Sequence, residues 1–162
     1  MEYAAVHSFN AISDENSRIL ILGTMPSVQS RGAGFYYAHP RNRFWPVLAE
    51  SFGQPAPECI EDKIQMLLIN GVALWDVLAS CEISGSDDSS IRNQVYNDIA
   101  ALIIEKPISK ILCNGKKAYN LYICFFSTHL PVLCMPSTSP ANAAWSTERL
   151  TAVWKSELCY NL

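Results

Sequence analysis

The sequence predicts an α/β domain, a short four-stranded parallel sheet with helices on both faces. Four short aliphatic runs, Arg18 to Gly23, Val72 to Trp75, Lys110 to Asn114 and Pro131 to Met135, recur along the chain. Segments with apolar residues at helical spacing separate them, and that alternation defines a parallel sheet joined by right-handed crossovers. Each run also ends on a residue with chemistry to offer: Gly23-Thr24, Asp76, Asn114 and Ser137. Parallel strands carry their carboxyl ends to one edge, so these groups must converge.

The elements follow in order. Arg18 to Gly23 is near-continuous aliphatic, the pattern of a strand covered on both faces. Pro40 to Phe52 reads as a helix, with Phe44, Trp45, Val47, Leu48 and Phe52 inward, Asn42 near its start and Pro46 in the first turn, where proline costs least. Gln54 to Pro57 is a break. Glu58 to Leu68 is a second helix, stopped by Asn70-Gly71. Val72 to Trp75 is the second strand, and Ser84 to Ser90 a polar loop. Ile91 to Glu105 reads as one helix ended by Pro107. Lys110 to Asn114 is the third strand, Lys116 to Phe126 a helix, Pro131 to Met135 the fourth strand. Pro140 to Tyr160 is the last helix, with Trp145, Leu150, Val153, Trp154 and Leu158 inward.

The length of 162 residues fits one domain spanning 1–162, with 49% hydrophobic and 17% charged residues describing an ordinary globular chain. No apolar run approaches membrane-spanning length, and the N-terminus lacks a basic start followed by a hydrophobic stretch, so the expected location is the cytoplasm. The six cysteines are scattered without a CxxC pair, and three histidines assemble no zinc spacing. They read as reduced thiols acting as small hydrophobes, Cys113, Cys124 and Cys134 inside apolar segments. No metal and no cofactor are expected. A net charge of −3 argues against a broad nucleic-acid surface, so any contact with DNA must be local. The absence of a G-x-S-x-G elbow, a P-loop and a G-x-G-x-x-G argues against serine hydrolases, NTPases and dinucleotide enzymes.

Two loops carry the candidate chemistry. The first runs from Gly23 to Trp45, GTMPSVQSRGAGFYYAHPRNRFW. Gly23 lets the backbone approach a ligand, and the amides of Thr24 and Met25 can hold a carbonyl oxygen or phosphate. Phe35, Tyr36 and Tyr37 either stack on an extruded base or anchor the loop to the core. His39 serves acid–base work or a turn. Asn42 either holds a water or caps the next helix. The second loop, Met135 to Ala143, reads MPSTSPANA. Ser137, Thr138 and Ser139 suit phosphates, while Ser139 with Pro140 equally suits a helix start. Asp76 and Asn114, each at a strand end, read donors and acceptors on a substrate or form turns.

With both loops in view, the chain resembles the uracil-DNA glycosylase superfamily, and within it the hypoxanthine-DNA glycosylase branch, also described as G:T/U mismatch-specific. The matching segments are LGTMPS (22–27), FYYAHPRNRFW (35–45), GVALWDVLASC (71–81), NGKKAY (114–119) and MPSTSPANA (135–143). The resemblance implies a three-layer α/β/α sandwich acting as a monomer on damaged or mismatched double-stranded DNA. It implies that a deaminated base, hypoxanthine or uracil, is flipped out and its N-glycosidic bond hydrolysed to an abasic site. Asn42 would be the catalytic residue. Gly23, Thr24, Met25, one aromatic of Phe35 to Tyr37, Asp76 and Asn114 would hold the base. His39, Arg41, Ser137, Thr138, Ser139 and Pro140 would contact DNA. The chain departs from the pattern at three places: Met25 replaces a water-activating Asp or Asn, Met135 a His, and Asp76 a base-reading Asn. These departures favour hypoxanthine, or a weaker and broader activity, over fast uracil excision. The alternative is a catalytically weak or inactive relative that binds a nucleotide or damaged DNA as a module.

Overall fold

Ile19–Gly23 is buried at every position because it forms an inner strand of a parallel sheet, where both faces are covered. The computed structural model describes residues 2–84 and 90–159. In chain order the elements are β1 (Ala4–His7), β2 (Ile19–Gly23), α1 (Val28–Ala33), α2 (Phe44–Phe52), α3 (Ile60–Ile69), β3 (Val72–Asp76), β4 (Leu78–Ile83), β5 (Arg92–Tyr96), α4 (Ile99–Glu105), β6 (Lys110–Asn114), α5 (Lys116–Phe125), β7 (Val132–Met135) and α6 (Thr147–Cys159).

The expected four-stranded parallel sheet is present in the order β3-β2-β6-β7. Gly23 pairs in register with Asp76, and Asn114 with Met135, so the strand ends share one edge. Alternation along β2 divides the core. Ile19 and Ile21 pack with Phe44, Val47, Leu48, Leu150 and Trp154 of α2 and α6. Leu20 and Leu22 pack on the opposite face with Ile99, Leu102, Ala118 and Tyr122 of α4 and α5. After β2 the chain adds β3 on one side and later β6 on the other. The crevice outside β2 and β6 is therefore a topological switch point, where open α/β sheets bind ligands.

The structure corrects several boundaries and one element type. The segment Ile91 to Glu105 is not one helix: β5 occupies Arg92–Tyr96, and α4 only Ile99–Glu105. With β1 and β4, β5 forms a three-stranded antiparallel sheet, order β1-β4-β5, that the sequence reading missed. Four of its five residues are exposed, Asn93 adopts a left-handed φ of 52°, and its register with β4 shifts twice, so the strand carries no apolar alternation. The short helix α1 was also unforeseen; Ser27 caps it by accepting from the Ser30 N–H. The last helix begins at Thr147 rather than Pro140, and α2 at Phe44 rather than Pro40. Of the polar loop 84–90, residues 85–89 lie outside the described residues. Cys113 is buried, but Cys124 and Cys134 are exposed and do not serve as core hydrophobes. Among the described residues, no helix is long and apolar enough to cross a membrane.

Candidate active site

A cavity of about 360 Å³ opens at the carboxyl edge of the parallel sheet, within the size range of small-molecule sites. Gly23 of β2, Asp76 of β3, Asn114 of β6 and Ser137-Thr138 beyond β7 all line it. The convergence expected from strand polarity thus occurs, and Thr24, Met25, Tyr36, Tyr37, Asn42 and Ser139 join the lining.

The aromatic loop is built by anchoring its middle. Tyr36 is buried, its hydroxyl donates to the Asn10 carbonyl (2.8 Å), and its own carbonyl accepts from Trp45 Nε1 (3.1 Å). With Tyr36 fixed at both ends, Tyr37 turns into the left-handed region at φ 52°. That conformation is uncommon for a bulky residue and is held only where packing over-determines it. Its ring stacks on Phe44, centroids 3.9 Å apart and 18° between planes. Phe35 faces the core instead, stacked on Trp45 at 5.9 Å and 9% exposed, so it cannot stack on a base.

The cavity floor holds two orphaned oxygens. Asp76 Oδ2 and the Tyr37 hydroxyl are both buried, and among the described residues neither meets a partner at full hydrogen-bond geometry, although Asn114 lies near the phenol. Burial pushes the Asp76 carboxyl up to about 7, so both charge states are accessible near neutrality. Burial first, and then the nearby Asp76, raises Tyr37 well above the ordinary phenol range, while Asn114 opposes it; the phenol keeps its proton. Among the described residues Asp76 caps no turn through its carboxylate; its backbone carbonyl accepts from Asn97 Nδ2 at 2.8 Å. Unpaired buried polar atoms are rare, and their presence beneath a cavity marks it as a candidate functional site.

Asn42 sits at the cavity wall. Its Oδ1 accepts from the Phe44 N–H and from the Thr138 hydroxyl, both at 2.9 Å. The first bond closes a local turn onto the first residue of α2, whose N-cap is Arg43 and not Asn42; the second ties it to a segment 96 residues away. Thr138 is completely buried. Its hydroxyl also accepts from Asn114 Nδ2 (3.0 Å), and its N–H donates to Asn114 Oδ1 (3.1 Å). The expectation that Thr138 meets a phosphate is therefore corrected: its hydroxyl is spent inside the protein.

Arg43 belongs to the site although the sequence did not single it out. Its guanidinium donates to three carbonyls, those of Trp145, Ser139 (3.1 Å) and Asn142 (2.9 Å). This clasp holds 139–145 in turns beside α2 and explains why α6 starts late. Gly115, at φ +97°, lies where an added Cβ would come within 3.3 Å of Ser137 Cβ, so it lets β6 and the second loop close together. His39, Arg41 and Pro140 stand outside the cavity lining. His39 Nδ1 accepts from the Arg41 N–H at 3.0 Å, the turn role considered for it, and Arg41 is exposed. Arg31, at the last turn of α1, lines the cavity and was not foreseen as a site residue. Among the described residues, no group of three His, Cys, Asp or Glu could hold a metal ion.

Fold and cavity together define an α/β domain with a cavity of small-molecule size at the switch point of a short parallel sheet. Comparison with known proteins gives the family: the model described as the uracil DNA glycosylase superfamily matches residues 9–157, and the chain belongs to that superfamily. It is similar to a protein named hypoxanthine DNA glycosylase from Methanosarcina acetivorans, 34% identical over 143 residues, covering 87% of this chain and 90% of that protein. A protein of the same name from Methanosarcina barkeri is 34% identical over 112 residues, 68% of this chain and 71% of the relative. A solution NMR structure from Methanosarcina acetivorans, solved as a candidate uracil DNA glycosylase, superposes with a TM-score of 0.83 at 31% identity. It covers 97% of this chain and all of the other.

Proposed function

We propose that this protein is a monofunctional DNA glycosylase that removes deaminated bases, hypoxanthine foremost, from damaged or mismatched duplex DNA. It acts in the cytoplasm as a monomer. The observation that carries the reading is the meeting of Tyr37 and Asn42, from the α1–α2 loop, with Asp76, from the end of β3, around one cavity. Superfamily membership supplies the reaction class.

The lesion swings out of the stack, at a cost of roughly a few kcal/mol that is least for a mispaired base. Its ring lies against the exposed side of Tyr37, whose other face rests on Phe44. The lactam edge of hypoxanthine (an N–H beside a carbonyl) meets the Asp76 carboxyl on the floor, and the amides near Thr24 and Met25 hold a base oxygen. Arg31, Arg41 and the Ser137 and Ser139 hydroxyls face the flanking phosphates.

In the bond-breaking step the C1′–N pair of electrons leaves with the base, and a water oxygen bonds to the electron-poor C1′. The base departs carrying a proton, the water loses one, and a hydroxyl remains on the sugar. Asn42 positions the water. Water is the only co-reactant, so the chemistry needs neither metal nor organic cofactor. Among the described residues no lysine lines the cavity, which supports hydrolysis over Schiff-base chemistry. The test is a duplex with a single hypoxanthine opposite thymine, scored for alkali-labile abasic sites. Abasic product supports the reading; tight binding of the damaged duplex without product would make the protein a binding module instead.

A further inference from the structure

We propose that Thr138 is a positioning residue that fixes Asn42 with its NH2 group, not its carbonyl, toward the cavity. The inference rests on the reading of Asn42 as the reaction-centre amide and goes beyond it by assigning that amide a donor's role and naming what enforces it.

The direction of every bond in the network is dictated by two backbone N–H groups, which can only donate. The Phe44 N–H points at the Asn42 side chain at 2.9 Å, so the atom it meets is the carbonyl oxygen. The Thr138 N–H points at the Asn114 side chain at 3.1 Å, so that atom is likewise a carbonyl oxygen. Asn114 must then present Nδ2 to the Thr138 hydroxyl, at 3.0 Å, and the hydroxyl accepts there. Its own hydrogen is left to donate to Asn42 Oδ1 at 2.9 Å. An amide oxygen has two lone pairs, and both on Asn42 are now taken. What remains is Nδ2, with no hydrogen bond to protein among the described residues.

The scaffold around Thr138 is stiff enough to enforce this. The residue is fully buried, and its carbonyl accepts from the Arg43 N–H at 3.1 Å, directly behind Asn42. Flipping the Asn42 amide would set its NH2 against the Phe44 N–H, donor to donor, and strand the Thr138 hydroxyl. An amide so held donates to a lone pair on water or base and accepts no proton. It orients the water oxygen over C1′, and the proton that water loses ends on the departing base. This suits a reaction whose sugar is already electron-poor and needs a placed nucleophile more than a strong one.

The test uses the full-length protein and single-turnover excision of hypoxanthine from duplex DNA, with Asn42→Asp, Thr138→Val and Thr138→Ser. Asn42→Asp keeps the oxygen that meets the Phe44 N–H but replaces the donor by an acceptor, and its rate should fall by about tenfold or more, the loss also expected of Asn42→Ala. Thr138→Val should lose about tenfold in maximal rate with KM nearly unmoved, and Thr138→Ser should restore it to within about threefold. A second readout needs no activity: the side-chain amide NMR pair of Asn42 should be single in wild type and Thr138→Ser, and doubled or broadened in Thr138→Val. Wild-type rates in Asn42→Asp, or an unchanged amide pair in folded Thr138→Val, overturns the proposal. An inactive wild type with the expected amide behaviour would sink the glycosylase reading and leave the amide orientation standing.

Discussion

A Cβ added at Gly23 would lie 2.5 Å from Asp76 Oδ1 and 2.8 Å from the Tyr37 hydroxyl. Gly23 has an ordinary backbone conformation, so the position demands glycine for space rather than for φ. The missing side chain is the floor of the cavity.

Gly23→Ala should therefore push the carboxyl and the phenol apart and fill the floor. Overpacking of this kind costs about 1–3 kcal/mol of stability. Hypoxanthine excision should fall by about tenfold or more, since misplacement by an ångström costs orders of magnitude in rate. Denaturant unfolding and single-turnover kinetics read the two effects, and a variant with full activity would show that the base does not reach the floor.

Asp76 ties stability to pH. Its carboxyl goes from about 3.8 in the unfolded chain to about 7 in the fold. Between those values the native state holds a proton that the unfolded state has lost, so stability falls as pH rises through this window. Below it both states are protonated and the penalty is absent; above it the penalty is complete, on the order of 4 kcal/mol. Asp76→Asn should be more stable than wild type at pH 8, the gap shrinking toward zero near pH 4. Urea titrations at several pH values measure this, and a gap that does not depend on pH would show that the carboxyl is not desolvated.

Arg43→Ala should loosen the second loop while leaving the helices intact. Three carbonyls lose a charged donor, and such bonds are each worth about 1.5–3 kcal/mol. Arg43→Lys should recover only part, because an ammonium cannot span the fork that a guanidinium fills. Limited proteolysis should cut the variants between 139 and 146 faster than wild type; equal cutting would remove the clasp.

What the sequence made legible was the periodic and the directional. Continuous aliphatics marked β2, strand polarity placed Gly23, Asp76, Asn114 and Ser137 on one edge, and Asn42 and the Phe35–Tyr37 cluster stood out by their chemistry. What it concealed was set by tertiary partners. Residues 140–146 have a proline and helix-compatible spacing, yet Arg43, about a hundred residues earlier, holds them as turns. Thr138 looks like a surface hydroxyl until Asn42 and Asn114 are seen to enclose it. Phe35 and Tyr37 are equivalent on paper; the anchored Tyr36 between them sends one to the core and the other to the cavity. The small antiparallel sheet was missed because β5 is exposed and β1 buries only Val6.

The central claim, that this cavity hydrolyses the glycosidic bond of a flipped deaminated base through Asn42, is tested most directly by one comparison. Wild type and Asn42→Ala are incubated with a duplex carrying one hypoxanthine, and abasic sites are counted after alkali. Wild type should convert the strand and Asn42→Ala should be slower by at least about tenfold, the low end of what acid–base positioning supplies. Equal conversion by both proteins would contradict the account.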